Sequence, residues 1–221
     1  MDSRLDPALK IAEFLLQIKA VKLSLKKPFT WASGWKSPIY CDNRKTLSYP
    51  AVRTYIRQQF VQVINHEFGR PDLIAGVATG GIAHGALVAH DMGLPFIYVR
   101  SAAKEHGMKN QVEGDLTTGR SVVVVEDLVS TGTSSLNAVH ALRDAGCEVK
   151  GMVSIFTYGF DEAIANFEKE KVKLKSLSNY TALLEQAMHD SYITDKDMLS
   201  LNEWRTSPTT WGKTVGESAA S

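Results

Sequence analysis

Val122-Val123-Val124-Val125-Glu126-Asp127-Leu128-Val129-Ser130-Thr131-Gly132-Thr133-Ser134 is the stretch on which the fold turns. Its consecutive β-branched residues, with no polar alternation, describe a strand buried on both faces, as parallel strands covered by helices are. The run then meets two acids and a loop of small hydroxyl residues around Gly132, and residues 133–145 resume with helical period. Ligands in open α/β sheets bind at the carboxyl ends of strands. Gly132 lets the backbone bend close to a ligand, and the free N–H groups opening the next helix point at an anion. A helix terminus alone contributes only about 0.3–1 kcal/mol per charge, so tight phosphate binding needs direct bonds as well. Ser130, Thr131, Thr133 and Ser134 can supply them, with backbone amides from Leu128 and Val129. Glu126 and Asp127 would repel the same phosphate. Ribose hydroxyls, or a Mg²⁺ bridging the ligand, are the partners that make sense of them, so the pattern suits a sugar phosphate.

Outward from this stretch the chain reads as more of the same sheet. Residues 73–78 and 152–156 are almost continuously apolar, 95–99 forms a further short strand, and 82–92 supplies a crossover helix. Upstream, helices are expected over 8–21 and 50–68, with two short extended pieces around a turn between 27 and 43. Downstream, residues 176–201 read as helical, and 206–221, rich in Ser, Thr and Gly, as a poorly ordered end. His84 and His90 fall on the helix after Thr79-Gly80, where packing or surface roles are expected; Trp204 and Trp211 read as anchors of the tail.

Composition narrows the function classes. With 221 residues, 44% of them hydrophobic, the chain can bury one catalytic domain. Basic residues outnumber acidic ones by 25 to 24, so no overall field draws it to nucleic acid or to an anionic membrane. Neither a signal-peptide pattern nor an apolar run of membrane-spanning length is present, and a cytoplasmic protein is expected. Cys41 and Cys147 are too few for a disulfide framework and read as free thiols. Gly76 and Gly81 have P-loop spacing, but Ile82 and Ala83 stand where Lys and Ser or Thr are required. No G-x-G-x-x-G follows a strand, which removes support for a dinucleotide enzyme.

Residues 126–134 resemble the phosphoribosyl pyrophosphate signature of the type I phosphoribosyltransferases. Three more segments narrow the likeness to the orotate phosphoribosyltransferases. Phe29-Thr30-Trp31-Ala32-Ser33-Gly34-Trp35-Lys36-Ser37-Pro38-Ile39-Tyr40-Cys41-Asp42-Asn43-Arg44 is similar to their orotate-binding segment, Arg100-Ser101-Ala102-Ala103-Lys104-Glu105-His106-Gly107 to the start of their mobile catalytic loop, and Ala78-Thr79-Gly80-Gly81-Ile82 to the turn that receives pyrophosphate. The chain departs from better-known members at Ala32 and Ser101, where they carry lysine, near Thr79-Gly80, where they carry a Tyr-Lys pair, and near Tyr158, where an arginine meets the base.

The resemblance implies a twisted, mostly parallel sheet flanked by helices, with a small N-terminal hood. It implies one domain over 1–221: helix and base-binding hood over 1–48, phosphoribosyl-pyrophosphate-binding core over 49–175, and C-terminal helical tail over 176–221. The implied reaction is Mg²⁺-dependent transfer of ribose 5-phosphate to orotate, giving orotidine 5′-monophosphate and pyrophosphate. Arg100, Lys104 and His106 are the implied catalytic cations. Glu126 to Ser134 with Thr79 and Gly80 would hold the sugar phosphate, and Ser130, Tyr40, Cys41, Lys36 and Arg44 the base, Arg44 or Lys36 meeting its carboxylate. Residues 101–119 are polar, aperiodic and contain Gly107, Gly114 and Gly119, which reads as a lid over the sugar cation; by resemblance it reaches the neighbouring subunit's site in a homodimer. A purine phosphoribosyltransferase shares the phosphate loop, but the segment 29–44 argues against it. A regulator binding nucleic acid would need a basic patch that no segment supplies.

Overall fold

The computed structural model describes residues 6–31, 33–100 and 111–212. Helix α1 (Pro7–Gln17) starts where the Asp6 carboxylate accepts the Ala8 N–H, with Pro7 at a position that needs no donor. It ends four residues short of the expectation: Lys19 turns left-handed at φ 55°, and β1 (Val21–Leu23) follows instead. The hood adds a hairpin of β2 (Phe29–Thr30) and β3 (Lys36–Ser37), then β4 (Ile39–Cys41), which pairs antiparallel with β1. A 3₁₀ turn over Asn43–Ser48 leads into α2 (Pro50–Glu67), which agrees with the helix read from sequence.

The remainder alternates strand and helix: β5 (Leu73–Val77), α3 (Gly80–Met92), β6 (Phe96–Val99), β7 (Val112–Glu113), β8 (Ser121–Val129), α4 (Thr133–Asp144), β9 (Glu148–Thr157), α5 (Asp161–Lys169), β10 (Leu174–Asn179), α6 (Tyr180–His189) and α7 (Asp195–Thr206). Six strands form one sheet in the order β10-β9-β8-β5-β6-β7, parallel except for β7 at the edge. The apolar strands are buried on both faces with period two: Val123 and Val125 enter one core cluster, with α1, α2, α3 and α6, while Val122 and Val124 enter the other, beneath α4 and α5.

Three expectations are corrected. The valine strand continues through both acids to Val129, with Glu126, Leu128 and Val129 paired to Ser154, Phe156 and Thr157 of β9, so Leu128 and Val129, expected to open the phosphate-gripping loop, belong to the strand. Ser176 to Asn179 are strand, not helix: β10 lies parallel to β9, and its polar look is resolved by Ser154 Oγ–Ser176 Oγ at 2.7 Å and by Ser178 Oγ donating to the Ala8 carbonyl at 2.8 Å. Val112 and Glu113, read as part of the lid, join the sheet against Val99 and Tyr98. Helix α5 was not anticipated; Ala163 and Phe167 form its buried face behind first-turn acids. Trp204 and Trp211 do anchor the tail. Trp204 is fully buried among Trp31, Tyr158, Phe160 and Tyr180 and donates to the Lys36 carbonyl, and Trp211 donates to Ser200 Oγ.

Candidate active site

Strand order fixes where the site lies. From β5 the chain crosses outward to β6, and from the adjacent β8 it crosses the other way to β9. A switch point of this kind leaves a crevice at the carboxyl ends of the two central strands. A cleft of about 430 Å³ sits there. One wall is the end of β5 and its turn, Val77 to Gly80; another is Glu126, Asp127 and Leu128 of β8, followed by Ser130, Thr131, Gly132 and Ser134; Cys41, Asp42 and Arg44 close the hood side. Two helix N-termini, those of α3 and α4, open beside this space, each offering unpaired N–H groups and a positive dipole end.

The loop before α4 is shaped by Gly132, whose φ of 85° is left-handed and whose missing Cβ would come 2.8 Å from the Phe167 ring. Helix α5 buttresses it a second time, because Asn166 Nδ2 donates to the Thr131 carbonyl at 3.1 Å. On the other wall the peptide joining Ala78 and Thr79 is cis. The α3 turn rests directly on the acids: a Cβ on Gly80 would lie 2.2 Å from the Asp127 carboxyl carbon, and one on Gly81 would lie 2.3 Å from the Val125 carbonyl oxygen.

The two acids differ in kind. Glu126 is only 5% exposed; its Oε1 accepts the Asp127 N–H at 3.0 Å and its Oε2 accepts Ser135 Oγ at 3.1 Å. Burial first, then the charge of Asp127, pushes its carboxyl well above the usual range. Burial and the neighbouring carboxylate thus both disfavour the Glu126 anion. On the hood side, burial and then the charges of Asp127 and Asp42 raise the Cys41 thiol, and it donates to Asn43 Oδ1 at 3.2 Å. Asp42 is drawn below its ordinary pKa by its hydrogen bond from Arg44, at 2.7 Å.

Behind the cleft runs a buried chain that the sequence did not reveal. Asn43 Nδ2 donates to the Asp127 carbonyl at 2.6 Å, Thr46 Oγ1 donates to the Asn43 carbonyl at 2.6 Å, and His84 Nε2 lies 3.1 Å from that hydroxyl. A hydroxyl has one proton, already given to Asn43, so Thr46 must accept from Nε2–H of a neutral His84. His84 Nδ1 is buried with no hydrogen-bond partner among the described residues. Burial, then the charge of Arg53, lowers the His84 pKa to about 4.

Of the residues expected at the site, Cys41, Arg44, Thr79, Gly80, Glu126, Asp127, Leu128, Ser130, Thr131, Gly132 and Ser134 line the cleft. Val129 is fully buried in the α4 face of the core. Thr133 lies 3.3 Å from Thr131 by hydroxyl contact but faces a neighbouring depression beside Asn166 and Lys169. Tyr40 is 40% exposed against Phe29, and Lys36 donates to Thr30 Oγ1; neither lines the cleft. Arg100 lies 3.6 Å from Glu113 at the root of the expected lid, where its N–H also bonds the Gln111 carbonyl. Lys104, His106, Ala32 and Ser101 fall outside the described residues. Asp42, Asn43 and Thr46 went unread individually; their polar character inside an aromatic, β-branched segment was the available signal.

Known proteins resemble this arrangement closely. A profile of the phosphoribosyl transferase domain matches residues 47–183. The orotate phosphoribosyltransferase of Porphyromonas gingivalis is 56% identical over 202 residues, 91% of this chain and 96% of that one. Among solved structures, orotate phosphoribosyltransferase from Aeropyrum pernix superposes with a TM-score of 0.72 at 30% identity, over 83% of this chain and 99% of that one. UMP synthase from Leishmania donovani superposes with a TM-score of 0.74 at 28% identity, over 89% of this chain but only 42% of that longer one.

Proposed function

The chain belongs to the phosphoribosyltransferase family, in its orotate branch, and from that premise we propose how its residues divide the reaction. The overall chemistry is transfer of ribose 5-phosphate from phosphoribosyl pyrophosphate to orotate, giving orotidine 5′-monophosphate and pyrophosphate, a step of pyrimidine biosynthesis. Ser130, Thr131, Gly132 and Ser134, with the amides opening α4, grip the 5′-phosphate. Asp127, facing the cleft, accepts the ribose hydroxyls, and Glu126 holds the Asp127 amide from behind. Thr79 and Gly80, at the start of α3, receive the pyrophosphate. Arg44 meets the orotate carboxylate from the hood, beside Cys41. The convergence of two helix N-termini on one carboxylate-bearing cleft carries this assignment.

As the bond from the anomeric carbon to pyrophosphate breaks, positive charge grows on the sugar and negative charge on the leaving oxygen. Groups fixed in place before that charge develops lower the barrier most. Asp127 lies on the sugar side and the α3 terminus on the leaving-group side. Lys104 and His106, outside the described residues, are the further cations for the leaving group. Their segment leaves and returns at Arg100 and Gln111, joined backbone to backbone at 2.9 Å, and Val99 just before it accepts the Ala78 N–H of the pyrophosphate turn at 2.8 Å. A lid rooted there would shield the sugar cation from water and, in a homodimer, reach the partner's site.

Asp127, whose side chain lines the cleft, would be the residue to help hold a Mg²⁺ arriving with the substrate. Among the described residues no three His, Cys, Asp or Glu side chains gather to hold one unaided, and both Glu126 oxygens are engaged. When bound it neutralises charge on the pyrophosphate. No helix among the described residues is long and apolar enough to cross a membrane. The free thiols of Cys41 and Cys147 suit a reducing cytoplasm. Purified protein with Mg²⁺ and phosphoribosyl pyrophosphate, offered orotate, adenine, hypoxanthine and uracil separately, should consume orotate alone; consumption of a purine base would overturn the assignment.

A further inference from the structure

Asn43 is fully buried, yet it joins the β8 wall of the cleft to its hood side. Its Nδ2 donates to the Asp127 carbonyl, 84 residues away in sequence, at 2.6 Å. Its Oδ1 accepts the Cys41 thiol at 3.2 Å. These partners fix the amide orientation, since a carbonyl can only accept and so must face the NH₂ end. The bond also fills a gap in the sheet. Register between β5 and β8 ends at Gly76↔Val125, so the last residues of β8 have no strand on that side. Asn43 takes the place of a neighbouring strand for the residue whose carboxylate faces the substrate. Its own carbonyl accepts Thr46 Oγ1, which is bonded in turn to His84 on α3, the helix that begins at the pyrophosphate turn.

We propose that Asn43 is a positioning residue: its side-chain amide pins the Asp127 backbone to the hood, and so sets where the ribose-holding carboxylate stands relative to base and pyrophosphate. The proposal rests on the assignment of Asp127 to the ribose. The tolerance is small, because the Asp127 carboxyl already packs where any Cβ on Gly80 would be. Without the Asn43 donor, the Asp127 carbonyl is left unpaired in a partly buried position, and the strand end is free to shift. Misplacement on the scale of an ångström costs turnover more than it costs binding, because phosphate contacts at the two helix termini survive it.

The test uses full-length Asn43→Ala and Asn43→Asp beside the unaltered protein. Turnover and both Michaelis constants are followed between about pH 6 and 9, with melting recorded in parallel. Asn43→Ala should lower kcat about tenfold or more at every pH, while the KM for phosphoribosyl pyrophosphate moves less than about threefold. Asn43→Asp keeps the size but donates only when protonated, so its kcat relative to the unaltered protein should rise as pH falls. A space-filling role would give no such recovery. The proposal is overturned if Asn43→Ala keeps kcat within about threefold, or if the relative kcat of Asn43→Asp is flat with pH. Should the alanine variant fail to fold, the slope for the aspartate variant decides alone. Absence of orotate turnover in the unaltered protein would instead sink the functional assignment, a result distinct from a loss confined to the variants.

Discussion

His84 should make the fold acid-sensitive in a way that one substitution removes. The imidazole is 1% exposed, its Nε2–H is committed to Thr46, and its Nδ1 faces no acceptor. A proton added at Nδ1 would place an unpaired charge in the core near Arg53, so the folded-state pKa falls to about 4 from the ordinary 6.5. A histidine with a depressed folded pKa costs nothing at neutral pH, where both states are neutral. As pH drops below about 6.5 the unfolded chain takes up the proton and the folded one does not, so stability is lost until pH reaches about 4. Between pH 7.5 and 4.5 this linkage amounts to about 2.5 kcal/mol, from shifts worth about 1.4 kcal/mol per unit. The assay is urea unfolding across that range, at one protein concentration and ionic strength, for the unaltered protein and His84→Gln. Glutamine keeps a donor for Thr46 but does not titrate, so the carboxylates, Glu126 included, cancel in the difference. The two stability curves should converge by about 2.5 kcal/mol toward low pH. Curves that stay parallel to within about 0.5 kcal/mol would refute the buried neutral tautomer.

Neighbouring glycines should separate function from stability. Gly80→Ala pushes the Asp127 carboxyl aside, so kcat should fall about tenfold or more with a melting shift of only a degree or two; Gly81→Ala drives a Cβ against the fixed Val125 carbonyl and should lose about 1–3 kcal/mol on unfolding. Arg44→Ala should raise the KM for orotate about tenfold and leave that for phosphoribosyl pyrophosphate unchanged, and an unmoved orotate KM would remove Arg44 from the base site. Lys104→Ala should lower turnover far more than it weakens phosphoribosyl pyrophosphate binding by direct titration; equal losses would contradict a transition-state role.

The parts of the molecule legible in the sequence are those where one physical preference acts alone. The valine run of β8 declared a buried parallel strand because no polar residue interrupted it, and Pro50 with its helical period gave α2 to within a residue. Where two preferences competed, the local one lost. Ser176 and Ser178 open a stretch that reads as helical, yet Ser154 and the Ala8 carbonyl satisfy them across the sheet, contacts 22 and 170 residues away that nothing local foretells. Leu128 and Val129 likewise read as the start of the phosphate loop, whereas pairing with Phe156 and Thr157 of β9 holds them in the strand. At the site, the turn into α4 was readable because Gly132 and its hydroxyl neighbours shape a helix start through near neighbours. The link from Asn43 to Asp127 was not, since it exists only once the hood has folded back over the sheet.

Keeping the acids inside the strand has a chemical consequence. Successive strand residues point to opposite faces, so adjacency in sequence sends Glu126 inward to Ser135 while Asp127 turns to the cleft. Two carboxylates on a flexible loop could both approach the ligand and would both oppose its phosphates. Locked in β8, one is desolvated, disfavoured as an anion and bonded to the other's amide, so under the proposed assignment Asp127 is the carboxylate offered to the ribose. The same alternation explains why the Asp127 carbonyl needs Asn43. Beyond Val125 the β5 side of β8 has no partner strand, and there the hood supplies one bond through the Asn43 side chain to the Asp127 carbonyl.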